Sequence, residues 1–138
     1  MPIPTEPIGS IPRPPALIEA MQAFASGEIS KRLDELFDEA TRDTIRRFED
    51  TESPVITDGE QSKPSFATYP IHGLENLAPD GVVIPFADGH TRQLPRLTAG
   101  PFRYRTRAAS YLEKARRHAH LPVKQAVISA SALSLLYP

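Results

Sequence analysis

Two short segments place polar side chains directly after an apolar stretch that is broken by a glycine. The first is segment 8–13, IGSIPR, which carries Ser10 and Arg13, and the second is segment 55–61, VITDGEQ, which carries Asp58 and Glu60. Parallel α/β enzymes build their active sites from such residues, at the carboxyl ends of their strands. The hydroxyl, guanidinium and carboxylate groups are therefore candidates for binding a polar substrate. The bland alternative is that both segments are plain turns, since Asp-Gly is a common hairpin dipeptide.

The helices that would position these segments are marked by proline, serine and apolar periodicity. Pro14-Pro15 predicts the start of a helix over 16–25 that ends near Ser26-Gly27, because proline is tolerated in the first turn. Ser30 is predicted to cap a long helix from 31 to about 50. Its apolar positions recur with the helical period, which indicates one buried face; they are Leu33, Leu36, Phe37, Ala40, Thr44, Ile45 and Phe48.

Strand-like runs alternate with these helices. Strands are predicted around 7–9, at 55–57 and at 123–129, with a helix over 104–120 and the start of another at 131–136. A strand, a helical crossover and a further strand are typical of a parallel α/β fold. Segment 62–100 interrupts the pattern with short extended pieces and turns, and it is predicted to form a hairpin-like insertion.

Composition excludes several function classes. The chain has 138 residues and a net charge of −1, so nothing in its charge favours nucleic acid or an acidic membrane. It contains no cysteine, which excludes disulfides and thiolate metal sites within these residues. No apolar run is long enough to cross a bilayer, and no signal peptide is recognisable. A soluble, cytoplasmic protein without nucleic-acid or membrane partners is expected.

Three stretches resemble the cobalamin-independent methionine synthase family, at the start of its C-terminal catalytic barrel. They are segment 7–13, PIGSIPR, segment 57–60, TDGE, and segment 121–124, LPVK. Their order follows the first three βα units of that family. The resemblance implies an α/β fold, an incomplete (β/α)8 TIM barrel in which residues 1–138 are the N-terminal part of a single domain with the insertion at about 62–100. A complete barrel needs about 250 residues.

The resemblance also implies a function. The family transfers a methyl group from a folate to the thiol of homocysteine, and its zinc ion holds that thiol as a nucleophilic thiolate. By the resemblance, Ile8, Gly9, Ser10 and Glu60 would bind the amino acid part of the substrate, with Arg13 and Asp58 as secondary candidates. Ser10 and the turn amides suit a carboxylate, and Glu60 suits an ammonium.

The sequence departs from the family in two respects. The zinc ligands of the family lie downstream of the last residue, so zinc is expected only for a full-length parent, and no catalytic or metal-binding residue is assigned here. Segment 84–90 and the absence of tryptophan differ from folate-dependent members. Related barrels alkylate other thiols, including coenzyme M, so the acceptor and donor stay open. The chain alone is expected to be inactive.

Two further alternatives follow from the same pattern. One is a non-catalytic barrel fragment that self-associates or completes a split barrel with another chain, because uncovered parallel strands expose their edges. The other is a different barrel enzyme that shares only a similar beginning.

Other chemically capable side chains are assigned no role. His118 and His120 are two residues apart on a helix end and make a poor metal pair. An Asp58, Asp88 and His90 metal site has no spacing that supports it. Solvated surface charge is the preferred interpretation of the arginines, and Lys63 is left open as a contact to an anionic group; the arginines are Arg103, Arg105, Arg107, Arg116 and Arg117.

Overall fold

The computed structural model describes residues 3–25, 30–101 and 103–137. Within these residues it contains four helices and four short strands: α1 (Pro15–Ala25), α2 (Ser30–Glu49), β1 (Leu77–Ala78), β2 (Val83–Pro85), β3 (Thr91–Gln93), β4 (Arg96–Leu97), α3 (Ala108–Arg116) and α4 (Ala130–Leu136). The mixed helix and strand composition agrees with the α/β expectation. None of the helices in the described part is long and apolar enough to span a membrane.

The chain forms two compact units. The first comprises the described parts of residues 1–63 and 108–126 and contains α1, α2 and α3. The second comprises the described parts of residues 64–107 and 127–138 and contains the four strands and α4. The insertion predicted at about 62–100 falls almost entirely within the second unit.

The first two helices form where the sequence predicts them. α1 begins at Pro15 and α2 begins at Ser30, one residue before the predicted start. The predicted end of α1 at Ser26-Gly27 lies outside the described residues. The apolar face of α2 is confirmed, because its predicted positions are buried or half-buried and most of its charged positions are exposed.

Two apolar clusters hold the first unit together. Leu17 of α1 packs with Leu33 and Ala40 of α2, so the first cluster joins these helices. The second cluster combines Ile45 of α2 with Ala115 of α3 and with Ile56. Ile56 is fully buried, which places the segment that leads to Glu60 against both helices.

The predicted parallel strands are present only as one bridge, between Ile56 and Val123. The Ile56 amide donates to the Pro122 carbonyl at 2.9 Å, and the Lys124 amide donates to the Ile56 carbonyl at 2.9 Å. The strand predicted over 123–129 does not continue beyond this bridge, because a parallel ladder needs a neighbour at each successive residue.

The strand predicted around 7–9 does not form. Pro4, Pro7 and Pro12 have no N–H to donate to a ladder, so the sequence itself interrupts pairing in this segment. The described residues thus contain helices, two antiparallel strand pairs and one parallel bridge, and the continuous parallel sheet expected of an incomplete barrel is not present among them.

The helix predicted over 104–120 is shorter, since α3 covers only Ala108–Arg116. Upstream, the amides of Arg105 and Thr106 donate to the Pro70 carbonyl at 2.7 and 3.3 Å. Residues 104–107 thus belong to a loop that is bound to Pro70, and α3 starts later than its apolar pattern predicts.

The second unit contains the predicted hairpin. β2 and β3 pair antiparallel with Ile84 opposite Arg92, and the turn between them includes Gly89 at φ +87°. β1 and β4 form a second antiparallel pair. α4 agrees with the predicted helix at 131–136, and the Ser129 hydroxyl caps it by accepting the Ala132 amide at 3.2 Å.

Candidate functional site

The turn that follows Ile56 is buried and fixed by its own side chains. The Asp58 carboxylate accepts the Glu60 amide at 3.0 Å, and the Thr57 hydroxyl accepts the Gly59 amide at 3.2 Å. Aspartate and threonine shape turns in this way because their short side chains reach amides two residues ahead. Asp58 therefore orients the backbone that presents Glu60, and only 2% of Asp58 is exposed.

Glu60 adopts an uncommon backbone conformation, with φ +55°. A non-glycine residue in this left-handed region is strained by about 1–2 kcal/mol, because its Cβ approaches the following carbonyl oxygen. Such strain persists only where the surrounding structure determines it, and it is concentrated at functional sites. Among the described non-glycine residues, Glu52 also has a positive φ (+61°), but Glu60 is the one that lies in the sequence motif.

The glycine before Glu60 holds segment 8–13 against the turn. Gly59 has φ +62°, and a Cβ built on it would lie 2.7 Å from Ile11 Cγ1 and 2.9 Å from Thr44 Cγ2. The Ile11 amide also donates to the Gly59 carbonyl at 3.1 Å. Only glycine permits this approach, which explains why the Asp-Gly-Glu sequence is required locally.

Arg13 ties the same two segments together. Its guanidinium donates to the carbonyls of Gln61 at 2.9 Å and Glu60 at 3.2 Å, and also to the carbonyl of Lys63. A planar guanidinium can serve several acceptors at once because its donors have a fixed geometry. Arg13 thus acts on the backbone of the Glu60 turn.

The Glu60 carboxylate lies beside the glycine of the first segment. A Cβ built on Gly9 would be 3.0 Å from Glu60 Oε1 and 3.6 Å from the Ala126 Cβ. The two candidate binding segments, which are about 50 residues apart in sequence, therefore meet at Gly9 and Glu60. Ser10 is exposed next to this junction, and Ile8 is 90% exposed.

Buried charge surrounds the carboxylate. Burial raises the pKa of Glu60 and the neighbouring Asp58 raises it further, while the cations of Lys63 and Arg13 oppose both effects. Burial lowers the pKa of Lys63, and Glu60 and Asp58 oppose that change. The site is therefore a desolvated group of opposite charges in which each cation helps to keep a carboxylate ionised.

The structure brings some of the predicted residues together and gives others different surroundings. Gly9 and Glu60 are adjacent, and Ser10 is exposed beside them. Arg13 and Asp58, the secondary candidates, both contact the backbone of the Glu60 turn. The sequence left open whether Lys63 contacts an external anion. The structure does not fit such a contact, because Lys63 is 0% exposed.

Sequence reasoning missed the burial of Lys63 and of Gln61. The Gln61 amide nitrogen donates to the Pro12 carbonyl at 3.4 Å, and Gln61 is 1% exposed. Both residues are polar and follow a turn, a pattern that ordinarily indicates a solvated loop. The one sequence feature that could have indicated their burial is that both follow Glu60 closely in the sequence.

Three of the four histidines lie close to carboxylates on the surface. His118 lies 2.8 Å from Asp38, His120 lies 3.2 Å from Glu49, and His90 lies 2.5 Å from Asp88. The residues described by the structure contain no group of three or more histidine, cysteine or acidic side chains that could hold a metal ion. They do not fit the zinc ion implied by the family resemblance.

Comparisons with known proteins identify a fold. No family model matches this sequence, and no curated protein matches it. The structure is similar to that of a B12-independent methionine synthase from Shewanella sp. W3-18-1 in complex with selenomethionine, with a TM-score of 0.71 and 16% sequence identity. The match covers 97% of this chain and 40% of that protein. The chain therefore has the fold of a part of that enzyme and spans less than half of its length.

Proposed function

We propose that this chain carries the amino-acid-binding part of a methyl- or alkyltransferase that acts on a thiol, built on an incomplete (β/α)8 barrel. The observation that carries the proposal is the contact between Gly9 and Glu60. A Cβ built on Gly9 would lie only 3.0 Å from Oε1 of Glu60, so the two candidate segments meet at this point. The structural likeness to a methionine synthase that was solved with a bound amino acid supports it.

The proposed ligand is an amino acid of the homocysteine or methionine type. Glu60 would accept hydrogen bonds from its ammonium group, and the hydroxyl of Ser10 with the turn amides of Ile8 to Ser10 would bind its carboxylate. Charge-assisted hydrogen bonds of this kind are about twice as strong as neutral ones. A side chain at position 9 would crowd the Glu60 carboxylate, since its Cβ would lie 3.0 Å from Oε1.

The chemical step needs groups other than those described here. In the resembled family a zinc ion holds the thiol as thiolate, and the described residues of this chain do not fit that ion. The role proposed for this chain is therefore to bind and orient the amino acid end of the substrate. The methyl or alkyl donor is left unspecified.

Calorimetry with L-methionine and L-homocysteine tests the proposal. Binding to the whole chain is expected, and Glu60→Gln should weaken it by about tenfold to a hundredfold through loss of charge-assisted hydrogen bonds. Glu6→Gln is the matched control, because Glu6 is exposed and pairs with Lys124 at 2.6 Å. Equal affinities of the two variants, or no binding by the unmodified chain, would reject the proposed site.

A coenzyme M type of acceptor can be distinguished in the same experiment. That thiol carries a sulfonate and no ammonium, so Glu60 would offer it no favourable contact and would repel it. Tighter binding of the sulfonate thiol than of L-homocysteine would support that relative of the family instead.

A second candidate function is association with another polypeptide, either a second copy or the remainder of a barrel. In the first unit Ile3 is 88% exposed and Ile8 is 90% exposed, in a segment that forms no strand pairing. Exposed apolar side chains on an unpaired extended segment favour such contacts. Molar mass measured by light scattering over a range of protein concentrations tests this candidate.

A further inference from the structure

Lys63 is a fully buried lysine in the turn that presents Glu60. It is 0% exposed, its Nζ donates to the Ala126 carbonyl at 2.8 Å, and it lies 5.6 Å from the centre of the Tyr111 ring. Lysines are almost never fully buried unless their charge is compensated. The carbonyl and the aromatic ring fix the position of the ammonium group.

The charged groups that face Lys63 and Glu60 come from two segments. Lys63 Nζ lies 4.0 Å from Glu60 Oε1, the Glu60 side chain is 7% exposed, and Asp58 is buried in the same turn. Arg13, from the first segment, is the remaining cation that acts on Glu60. Two carboxylates buried so close together oppose each other's ionisation unless cations are nearby.

We infer that Lys63 is a positioning residue that keeps Glu60 in its carboxylate form, ready to receive the ammonium group of a ligand. The inference rests on the proposed function for its ligand, and on the geometry of this turn for its electrostatics.

The distance between Lys63 and Glu60 allows the lysine to stabilise the carboxylate without occupying the position of the ligand's ammonium group. A separation of 4.0 Å is longer than a hydrogen bond, so the oxygens of Glu60 keep their acceptor positions for an incoming ammonium. The hydrogen bond to Ala126 holds the lysine at that distance. A lysine on the surface could swing onto the carboxylate and compete, whereas a buried and anchored one cannot.

Carbon-13 NMR of the glutamate and lysine side chains tests the inference in the intact chain. The Glu60 carboxyl signal is followed against pH in the unmodified protein and in Lys63→Met, Lys63→Arg and Lys124→Met. Lys124 is the matched control, since it is a partly exposed lysine of the same unit that pairs with Glu6.

Lys63→Met is expected to raise the pKa of Glu60 by about one to three units, as loss of an opposite charge at this distance does. Lys63→Arg should keep most of the original value, and Lys124→Met should leave it unchanged. Binding of L-methionine by Lys63→Met should weaken about tenfold for each unit by which the Glu60 pKa exceeds the working pH, and should recover at higher pH.

The unmodified protein supplies a test that does not depend on the folding of a variant. When the Lys63 Cε signal reports loss of its proton, the Glu60 carboxyl signal should show a second inflection at the same pH. Absence of that inflection, or a Glu60 pKa unchanged in a folded Lys63→Met protein, would overturn the inference. Absence of methionine binding with both NMR effects present would instead reject the proposed ligand and leave the electrostatic role in place.

Discussion

Glu60 combines three properties that seldom occur in one residue. It has a positive φ, its carboxylate is buried, and it lies against a glycine from a distant segment. A left-handed backbone and a desolvated charge both cost free energy. Arg13, Asp58 and Lys63 offset part of that cost by binding the turn or neutralising its charge. The folded chain therefore keeps a locally unfavourable residue at this position.

Replacing Arg13 by lysine separates a structural role from direct ligand binding. A lysine keeps the charge but cannot donate to three carbonyls in the guanidinium geometry. We expect Arg13→Lys to lower the free energy of unfolding by about 2 kcal/mol, as the loss of hydrogen bonds from a charged group does. Affinity for L-methionine should fall as well, because the Glu60 turn loosens.

Chemical denaturation and calorimetry together check this prediction. Arg117→Lys, on the exposed surface beyond α3, is the control and should change neither quantity. If Arg13→Lys loses ligand affinity while its unfolding curve stays the same, Arg13 touches the ligand directly, as the sequence motif suggests.

At the scale of elements, the C-terminal end of α2 binds the backbone that leads to Val123. The Glu49 carboxylate accepts the amides of His120 at 2.6 Å and Leu121 at 3.3 Å, and it lies 3.2 Å from the His120 ring. The backbone hydrogen bond from His120 is the main reason that the pKa of Glu49 is lowered. One side chain thus connects α2 to the segment that bridges to Ile56.

Glu49→Gln should destabilise the protein at neutral pH and not at low pH. Because the folded-state pKa is lowered, the unfolded state binds the proton more readily, so stability from the carboxylate is present above about pH 4.3 and is lost as the pH falls through the folded value. We expect a loss of about 1 kcal/mol at pH 7, since the amide accepts these hydrogen bonds less strongly.

Thermal unfolding at a series of pH values from 2.5 to 7 measures this effect. The difference between Glu49→Gln and the unmodified chain should shrink to nothing at the acid end of the series. Glu39→Gln, an exposed position on α2, serves as control. A difference that stays constant with pH would show that packing, and not ionisation, is responsible.

Gly59→Ala should weaken the packing of the Glu60 turn against Ile11 of segment 8–13 and Thr44 of α2. The new Cβ would overlap Ile11 and Thr44 at 2.7 and 2.9 Å in a backbone with φ +62°, so steric and conformational costs add. We expect the free energy of unfolding to fall by at least about 2 kcal/mol. Chemical denaturation followed by circular dichroism gives the value.

Gly89→Ala separates the two costs. Gly89 also has a positive φ, +87°, but a Cβ on it would meet no heavy atom within 4 Å. Its substitution should cost only the conformational part, about 1 kcal/mol. Equal effects at both glycines would mean that the close approach at Gly59 relaxes without cost.

At the scale of the whole molecule, nearly balanced charge accompanies exposed apolar side chains. The net charge is −1 and the isoelectric point is about 6.4. Proteins near their isoelectric point lose the electrostatic repulsion that keeps them apart. Self-association through the exposed isoleucines of the first segment should therefore be strongest in slightly acidic buffer.

Ile8→Glu should raise the fraction of monomer at pH 6.4 by removing an apolar contact and adding charge. Thr5→Glu adds the same charge at an exposed polar position and is the control for the electrostatic part. Light scattering coupled to size exclusion measures both variants. If the two raise the monomer fraction equally, charge alone explains the association and Ile8 is not part of an interface.

The sequence alone determined where α1, α2 and α4 form and which residues make up the motifs. The apolar stripe of α2, Pro15 at the start of α1, and the turn at Gly89 follow from local rules, because periodicity, proline and glycine act within a few residues. The resemblance in segments 7–13 and 57–60 selected Gly9 and Glu60, and the structure places these two side by side.

Tertiary structure decided the rest. Whether 123–129 forms a strand depends on neighbours that local sequence does not specify, and only the Ile56–Val123 bridge formed there. The burial of Lys63 and the three carbonyls that Arg13 contacts arise from residues far apart in the chain. Side-chain type fixes which interactions are available, whereas burial and distance, which depend on long-range packing, fix which of them are made.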